Sequence, residues 1–185
     1  MTTTPIPARP FDRSFWVAPG RLLAGLYPGD VDPAQEEKKL RALLAAGIRA
    51  FVDLTHEDDR NHHDQALAPY TPALETIARE QDVTWAYQRC QIVDETAPTK
   101  ALMREILDAI DGHIAAGRPV YVHCWGGRGR TGTAAGCWIA RHRIAEGPEV
   151  LAAMQRMRRR EGALDLPCPA EKSQRDFVVQ WKPGA

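Results

Sequence analysis

The sequence predicts an α/β layer fold with a mainly parallel sheet, and three observations carry that expectation. Short apolar runs alternate with helical patterns along the chain. A strand, a glycine-rich loop and a helix start follow one another over residues 120–132. At 185 residues, 44% hydrophobic and 26% charged, the chain can bury one sizeable core but is short for two. The expected architecture is therefore a central, mainly parallel twisted sheet flanked by helices, with an anion-binding loop between a strand and a helix N-terminus.

Each element has its own warrant. Met1 to Phe15 carries Pro5, Pro7 and Pro10 and no continuous apolar stretch. This predicts a lead segment over 1–20, without signal peptide or membrane span, before a single domain over 21–182. Arg21 to Leu26, ended by Pro28 and Gly29, reads as an edge strand. Asp32 can cap and Pro33 can open a helix in which Leu40, Leu43 and Leu44 recur at helical spacing before Gly47 stops it. Arg49 to Leu54 is a compact strand, and the polar stretch Thr55 to Tyr70 a loop. Thr71 to Arg79 reads as a helix leading into a strand over Val83 to Arg89, with Cys90 to Thr99 irregular. Leu102, Ile106, Leu107, Ile110 and Ile114 share one face of a helix over Lys100 to Ala116, and Pro119 to His123 is a buried strand. Helices follow over Arg130 to Ala145, Glu149 to Arg160 with Val150, Leu151, Met154 and Met157 inward, and Ala170 to Trp181.

Charge narrows the function classes. Twenty-four basic residues balance 24 acidic ones, so the broad field that nucleic-acid or anionic-membrane binding leans on is missing, and anion recognition must be local. Cysteines 90, 124, 137 and 168 have neither zinc-site spacing nor the density of a disulfide framework, which fits reduced thiols in a cytoplasm. Abundant arginine and alanine hint at a GC-rich bacterial genome. Oligomeric state is not readable.

The chemistry concentrates in Val120-Tyr121-Val122-His123-Cys124-Trp125-Gly126-Gly127-Arg128-Gly129-Arg130-Thr131-Gly132. Gly126, Gly127 and Gly129 let the loop curl so that successive N–H groups converge on one point, at which the next helix aims its positive end. That point is an anion site, expected to hold phosphate. Cys124, at the start of the loop, sits in a field that favours its thiolate and so makes it a nucleophile. Arg130, with five residues between it and Cys124, can hold two phosphoryl oxygens with its planar fork. Thr131 can donate its hydroxyl to the sulfur and ease its later departure.

This His-Cys-x5-Arg-Thr pattern resembles the protein tyrosine phosphatase superfamily. The short chain looks like its dual-specificity branch, and Trp-Gly-Gly-x-Gly-Arg-Thr is similar to the kinase-associated phosphatases and small bacterial relatives. The resemblance covers roughly Arg21 to Trp181. It implies a cysteine-dependent hydrolase of phosphate monoesters that works through a phosphocysteine, without cofactor or metal, on a phosphorylated protein or a small phosphate ester. It also implies a mobile aspartic acid upstream that protonates the leaving oxygen and later activates water. Asp94, in Gln91-Ile92-Val93-Asp94-Glu95-Thr96-Ala97-Pro98, falls where that loop belongs, with Glu95 as the alternative. Gln174, in Pro169 to Phe177, is similar to a glutamine that positions water.

Trp125 and Arg128 lie in the loop beside the bound group. Arg128 adds charge as in relatives acting on phosphoinositides, which favours a polyanionic ester, whereas Trp125 can wall a pocket for an aromatic ring. A further alternative is a phosphate-binding interaction module without turnover. His123 faces away from the nucleophile if the strand alternates, and its expected task is to orient the loop through hydrogen bonds. Asp53, at a strand end, is structural or a brace.

Blander readings suit the rest. Cys90, Cys137 and Cys168 read as small buried hydrophobes, with a redox partnership of Cys90 and Cys124 as the minor option. Gly127-x-Gly129-x-x-Gly132 satisfies a dinucleotide fingerprint, but no strand ending in an acid follows it, and no Gly-Lys-Ser or Gly-Lys-Thr exists for an ATP loop. A rhodanese-like cradle is disfavoured by the spacing to Arg130 and by Thr131. His56, His62 and His63 read as a solvated loop rather than metal ligands. Arg156, Arg158, Arg159 and Arg160 match the negative end of their helix.

Overall fold

The computed structural model describes residues 7–61, 63–160 and 166–184, so His62 lies outside the described residues. Among these the order is β1 (Ser14–Ala18), β2 (Leu22–Gly25), α1 (Pro33–Ala45), β3 (Ala50–Asp53), α2 (Thr71–Glu80), β4 (Ala86–Arg89), α3 (Lys100–Ala115), β5 (Val120–His123), α4 (Arg130–Arg141), α5 (Glu149–Arg160) and α6 (Lys172–Gln180). The strands form one sheet in the order β1-β2-β5-β3-β4. Only β1 runs antiparallel to its neighbour; β2, β5, β3 and β4 are parallel.

Two-residue alternation sorts the strand side chains into two cores. Phe15 and Val17, Leu22 and Ala24, Ala50 and Val52, and Val120 and Val122 join Met103 and Ile106 of α3, Ala134 and Trp138 of α4, Met154 of α5 and Val178 of α6. Trp16, Leu23, Phe51 and Tyr121 point the other way and join Leu40, Leu43 and Leu44 of α1 with Leu74 and Ile77 of α2. The result is a three-layer sandwich of two helices, the sheet and four helices. Among the described residues, no helix is long and apolar enough to cross a membrane.

Local chemistry sets the element ends. Asp32 caps α1 by accepting from Ala34 N–H at 2.9 Å, with Pro33 in the first turn. Thr99 caps α3 through Leu102 N–H at 3.1 Å. The helix expected to run to Ala145 stops at Arg141, because Arg143 takes a left-handed φ of 56° and Ile144 N–H reaches back to Ile139 O.

The position expected for the edge strand is corrected. β2 lies inside the sheet, because Ser14–Ala18, read as part of the proline-rich lead, pairs outside it. Five consecutive buried residues with alternating destinations make β1 a strand despite the prolines before it.

Candidate active site

The loop after β5 must turn from strand to helix while pressed against the end of β2, and one glycine makes this feasible. Gly127 has φ +69°, and a Cβ there would stand 2.5 Å from Gly25 C and from Leu26 N. Groups outside the loop bind its carbonyls. Tyr27 N–H donates to Trp125 O at 3.0 Å, Arg13 Nη2 to Gly126 O at 2.7 Å, and the Cys168 thiol to Arg128 O at 3.4 Å. The loop opens on a cavity of about 460 Å³ lined by all six residues from Cys124 to Gly129, together with Asp94, Glu95, Arg158 and Gln174.

Cys124 is buried at the mouth of α4, whose first residue is Arg130. Among the described residues no side chain caps this helix at Gly129; Gly132 N–H donates to Arg128 O at 3.2 Å, which leaves the N–H groups at the start of the helix, Arg130 and Thr131, facing the loop. Thr131 does not take the expected arrangement. Its hydroxyl donates to Gly25 O at 3.2 Å, because the end of β2 presents that carbonyl, and the one hydroxyl proton is thereby committed away from the sulfur.

Arg130 is 1% exposed and heavily bonded. Its Nη1 donates to Asp59 Oδ2 at 2.6 Å and to Ile92 O at 3.0 Å, and its Nη2 lies 3.1 Å from Asp94 Oδ1. Its Nε is buried with no partner among the described residues. Asp94 stands on the turn after β4, its side chain 59% exposed. The turn is closed by the Thr96 hydroxyl on Val93 O at 2.7 Å and places Glu95 at φ 59°. Glu95 also lines the cavity, but Asp94 is the acid on Arg130.

On the other face of β5, His123 is fully buried and shares a 2.8 Å hydrogen bond between Nε2 and the Tyr70 hydroxyl. Its Nδ1 faces Asp53 Oδ1 at 3.8 Å, beyond hydrogen-bond length. Burial holds His123 below its ordinary value, against the Asp53 carboxylate and the Cys124 backbone, which favour the charged form. Asp53 accepts from Thr55 N–H, the Thr55 hydroxyl and the Tyr87 hydroxyl, so it is satisfied as a brace at the end of β3.

Gln174 is fully buried against the loop. Its Oε1 accepts from Glu171 N–H at 3.1 Å and its Nε2 donates to Thr96 O at 3.0 Å. The remaining cysteines are free and buried, and burial pushes the Cys168 thiol up to about 11. Sequence reasoning missed Asp59 and Arg13. The run Glu57-Asp58-Asp59 after β3 was the available signal for the first, but nothing in it marks which acid turns inward.

A family model described as "Polymorphic toxin system, DSP-PTPase phosphatase" matches residues 26–144. The chain is 25% identical over 138 residues to the human dual specificity protein phosphatase CDC14C, covering 74% of this chain and 28% of that protein. It is 25% identical over 128 residues to mouse CDC14B, covering 69% and 24%. The chain thus spans about a quarter of the length of these curated relatives. Among solved structures, Tk-PTP in its active form has a TM-score of 0.62 at 23% identity, covering 92% of this chain and 96% of that one. Kinase associated phosphatase with its catalytic cysteine replaced by serine gives 0.63 at 18%, covering 96% and 94%. PTPMT1 in complex with PI(5)P gives 0.63 at 18%, covering 92% and 94%. The structural likenesses show the fold, and the family model spans β3, the Asp94 turn, the cysteine loop and α4. This chain therefore belongs to the DSP-PTPase family, in the dual-specificity branch of the protein tyrosine phosphatase superfamily.

Proposed function

We propose that this domain hydrolyses phosphate monoesters of the kind carried by phosphorylated proteins, through a phosphocysteine on Cys124. The observation that carries this reading is Arg130: a buried guanidinium at the end of the Cys124 loop, locked through Nη1, with Nε unpartnered among the described residues. The free Nε and the neighbouring Nη2 form one edge of the fork, which suits two oxygens of a phosphoryl group.

In the first step the Cys124 thiolate gives its electron pair to phosphorus, forming the S–P bond. The ester P–O bond breaks, and its oxygen keeps the pair and takes a proton from Asp94. In the second step Asp94 takes a proton from water, the water oxygen bonds to phosphorus, and the S–P pair returns to Cys124. An alcohol and inorganic phosphate leave. A phosphate entering the loop competes with Asp94 for Arg130 Nη2, which turns the acid towards the leaving group.

The test is para-nitrophenyl phosphate hydrolysis by wild type and Cys124→Ser, with EDTA and with vanadate. The reading predicts activity that survives EDTA, is blocked by vanadate and is absent from Cys124→Ser. A turning-over Cys124→Ser protein would sink it. An inactive, folded wild type that still binds vanadate would leave a binding module.

A second reading has its own support. Arg13, Arg128 and Arg158 line the cavity beside Arg130, and Arg158 is largely buried with Nη1 on Leu166 O at 2.7 Å. Such a mouth suits a polyanionic ester, and PTPMT1 has been captured with PI(5)P. Comparing kcat/KM on a phosphotyrosine peptide and on a short-chain phosphoinositide separates the two.

A further inference from the structure

We infer that Gln174 is a positioning residue for proton transfer: it ties the Asp94 turn to α6 and so fixes how the acid stands over the leaving oxygen. The inference rests on the functional reading above and adds a part to it. Gln174 has no exposure, and both ends of its amide are engaged. Its Oε1 completes a capping box with Glu171, which sets its rotamer, and its Nε2 donates to Thr96 O, 78 positions away in sequence. Gly129 leaves room for this, since a Cβ there would lie 3.1 Å from Gln174 Oε1 and 3.2 Å from Nε2.

Among the described residues, the Asp94 turn has few other holds. Residues 93–96 are exposed, and Glu95 is in a left-handed conformation that a non-glycine residue keeps only when its flanks are fixed. Side chains from elsewhere tie it at Ile92 O and Asp94, both through Arg130, and at Thr96 O through Gln174. A bound phosphate weakens the tie to Asp94 by taking Nη2. The acid then hangs between two anchors, Ile92 and Thr96, each two residues from Asp94, and Gln174 holds one of them. A residue that only aligns water would act after the leaving group has gone. Gln174 instead acts while the ester P–O bond breaks, the stage at which Asp94 gives up its proton and which governs kcat/KM.

The experiment compares Gln174→Met, which keeps the length without donor or acceptor, with Gln174→Glu, which keeps the capping acceptor and sets a second acceptor against Thr96 O. Each is assayed for kcat/KM on dinitrophenyl phosphate, whose phenolate departs unaided, and on phenyl phosphate, which needs the proton. Positioning of Asp94 predicts a loss at least roughly tenfold larger on phenyl phosphate, a part of the roughly hundredfold or more that a well-placed general acid supplies. Thermal unfolding and vanadate affinity check folding, and Gln174→Glu carries the test if Gln174→Met does not fold. Equal losses on both esters, or unchanged kcat/KM with accumulation of phosphoenzyme, overturn the inference. A wild type inactive on both esters overturns the functional reading instead.

Discussion

A guanidinium with 1% exposure has to be answered by charge, and at Arg130 the answer comes from two acids of different character. Asp59, whose side chain is 8% exposed, lies 2.6 Å away; Asp94 lies at 3.1 Å with its side chain 59% exposed, and under the proposed mechanism it is the partner that exchanges. Removing one partner of a buried pair strands the other, so Asp59→Asn is expected to cost about 3 kcal/mol of stability, with Asp94 left to limit the damage. Urea unfolding with and without vanadate checks this, because an oxyanion on Arg130 should restore part of the loss. Asp94→Ala is expected to do the reverse: little change in the urea midpoint and in vanadate affinity, but a fall in kcat of roughly a hundredfold or more on phenyl phosphate. If both variants lose stability alike, the division of labour between the two acids is wrong.

At the scale of elements, the cysteine loop is an extension of the β2–β5 contact rather than a free segment. Thr131 bonds Gly25 O, Tyr27 bonds Trp125 O, and Gly127 sits against the Gly25–Leu26 peptide without room for a methyl group. Gly127→Ala should therefore displace the loop from β2 and cost about 2 kcal/mol, combining a left-handed backbone with a backbone clash, while abolishing vanadate binding. Gly112 is the matching control. It lies exposed in α3, and a Cβ added there would meet nothing within 4 Å among the described residues, so Gly112→Ala should raise stability by roughly 0.5–1 kcal/mol through helix propensity. Thermal melts of the two variants with opposite signs would separate geometric need from composition.

For the whole molecule, what could be read beforehand was what is local. Strand, glycine loop and helix start are contiguous, as are Asp32-Pro33 and the stripe from Leu102 to Ile114. The missed parts depend on encounters across the fold: β1 needs β2 beside it, Asp59 needs Arg130 71 positions on, and Gln174, itself named from the sequence, finds Thr96 only when α6 closes over the loop. His123 shows the same dependence in its pH behaviour. It is buried at the end of the central strand, with Asp53 favouring its charge and Arg130 and Arg89 opposing it, and burial prevails, so its folded value lies below the ordinary 6.5. Over the window from 6.5 downwards the unfolded chain thus binds the proton more readily, and stability falls as pH falls. His113 shifts in the same direction through burial and Arg118, adding to the slope. The expected outcome is a urea midpoint that drops between about pH 7.5 and about pH 5.5, and drops less in His123→Gln. An equal slope in the variant would place the acid sensitivity elsewhere; a flatter one would show that the strand supporting Cys124 is held by keeping its histidine neutral.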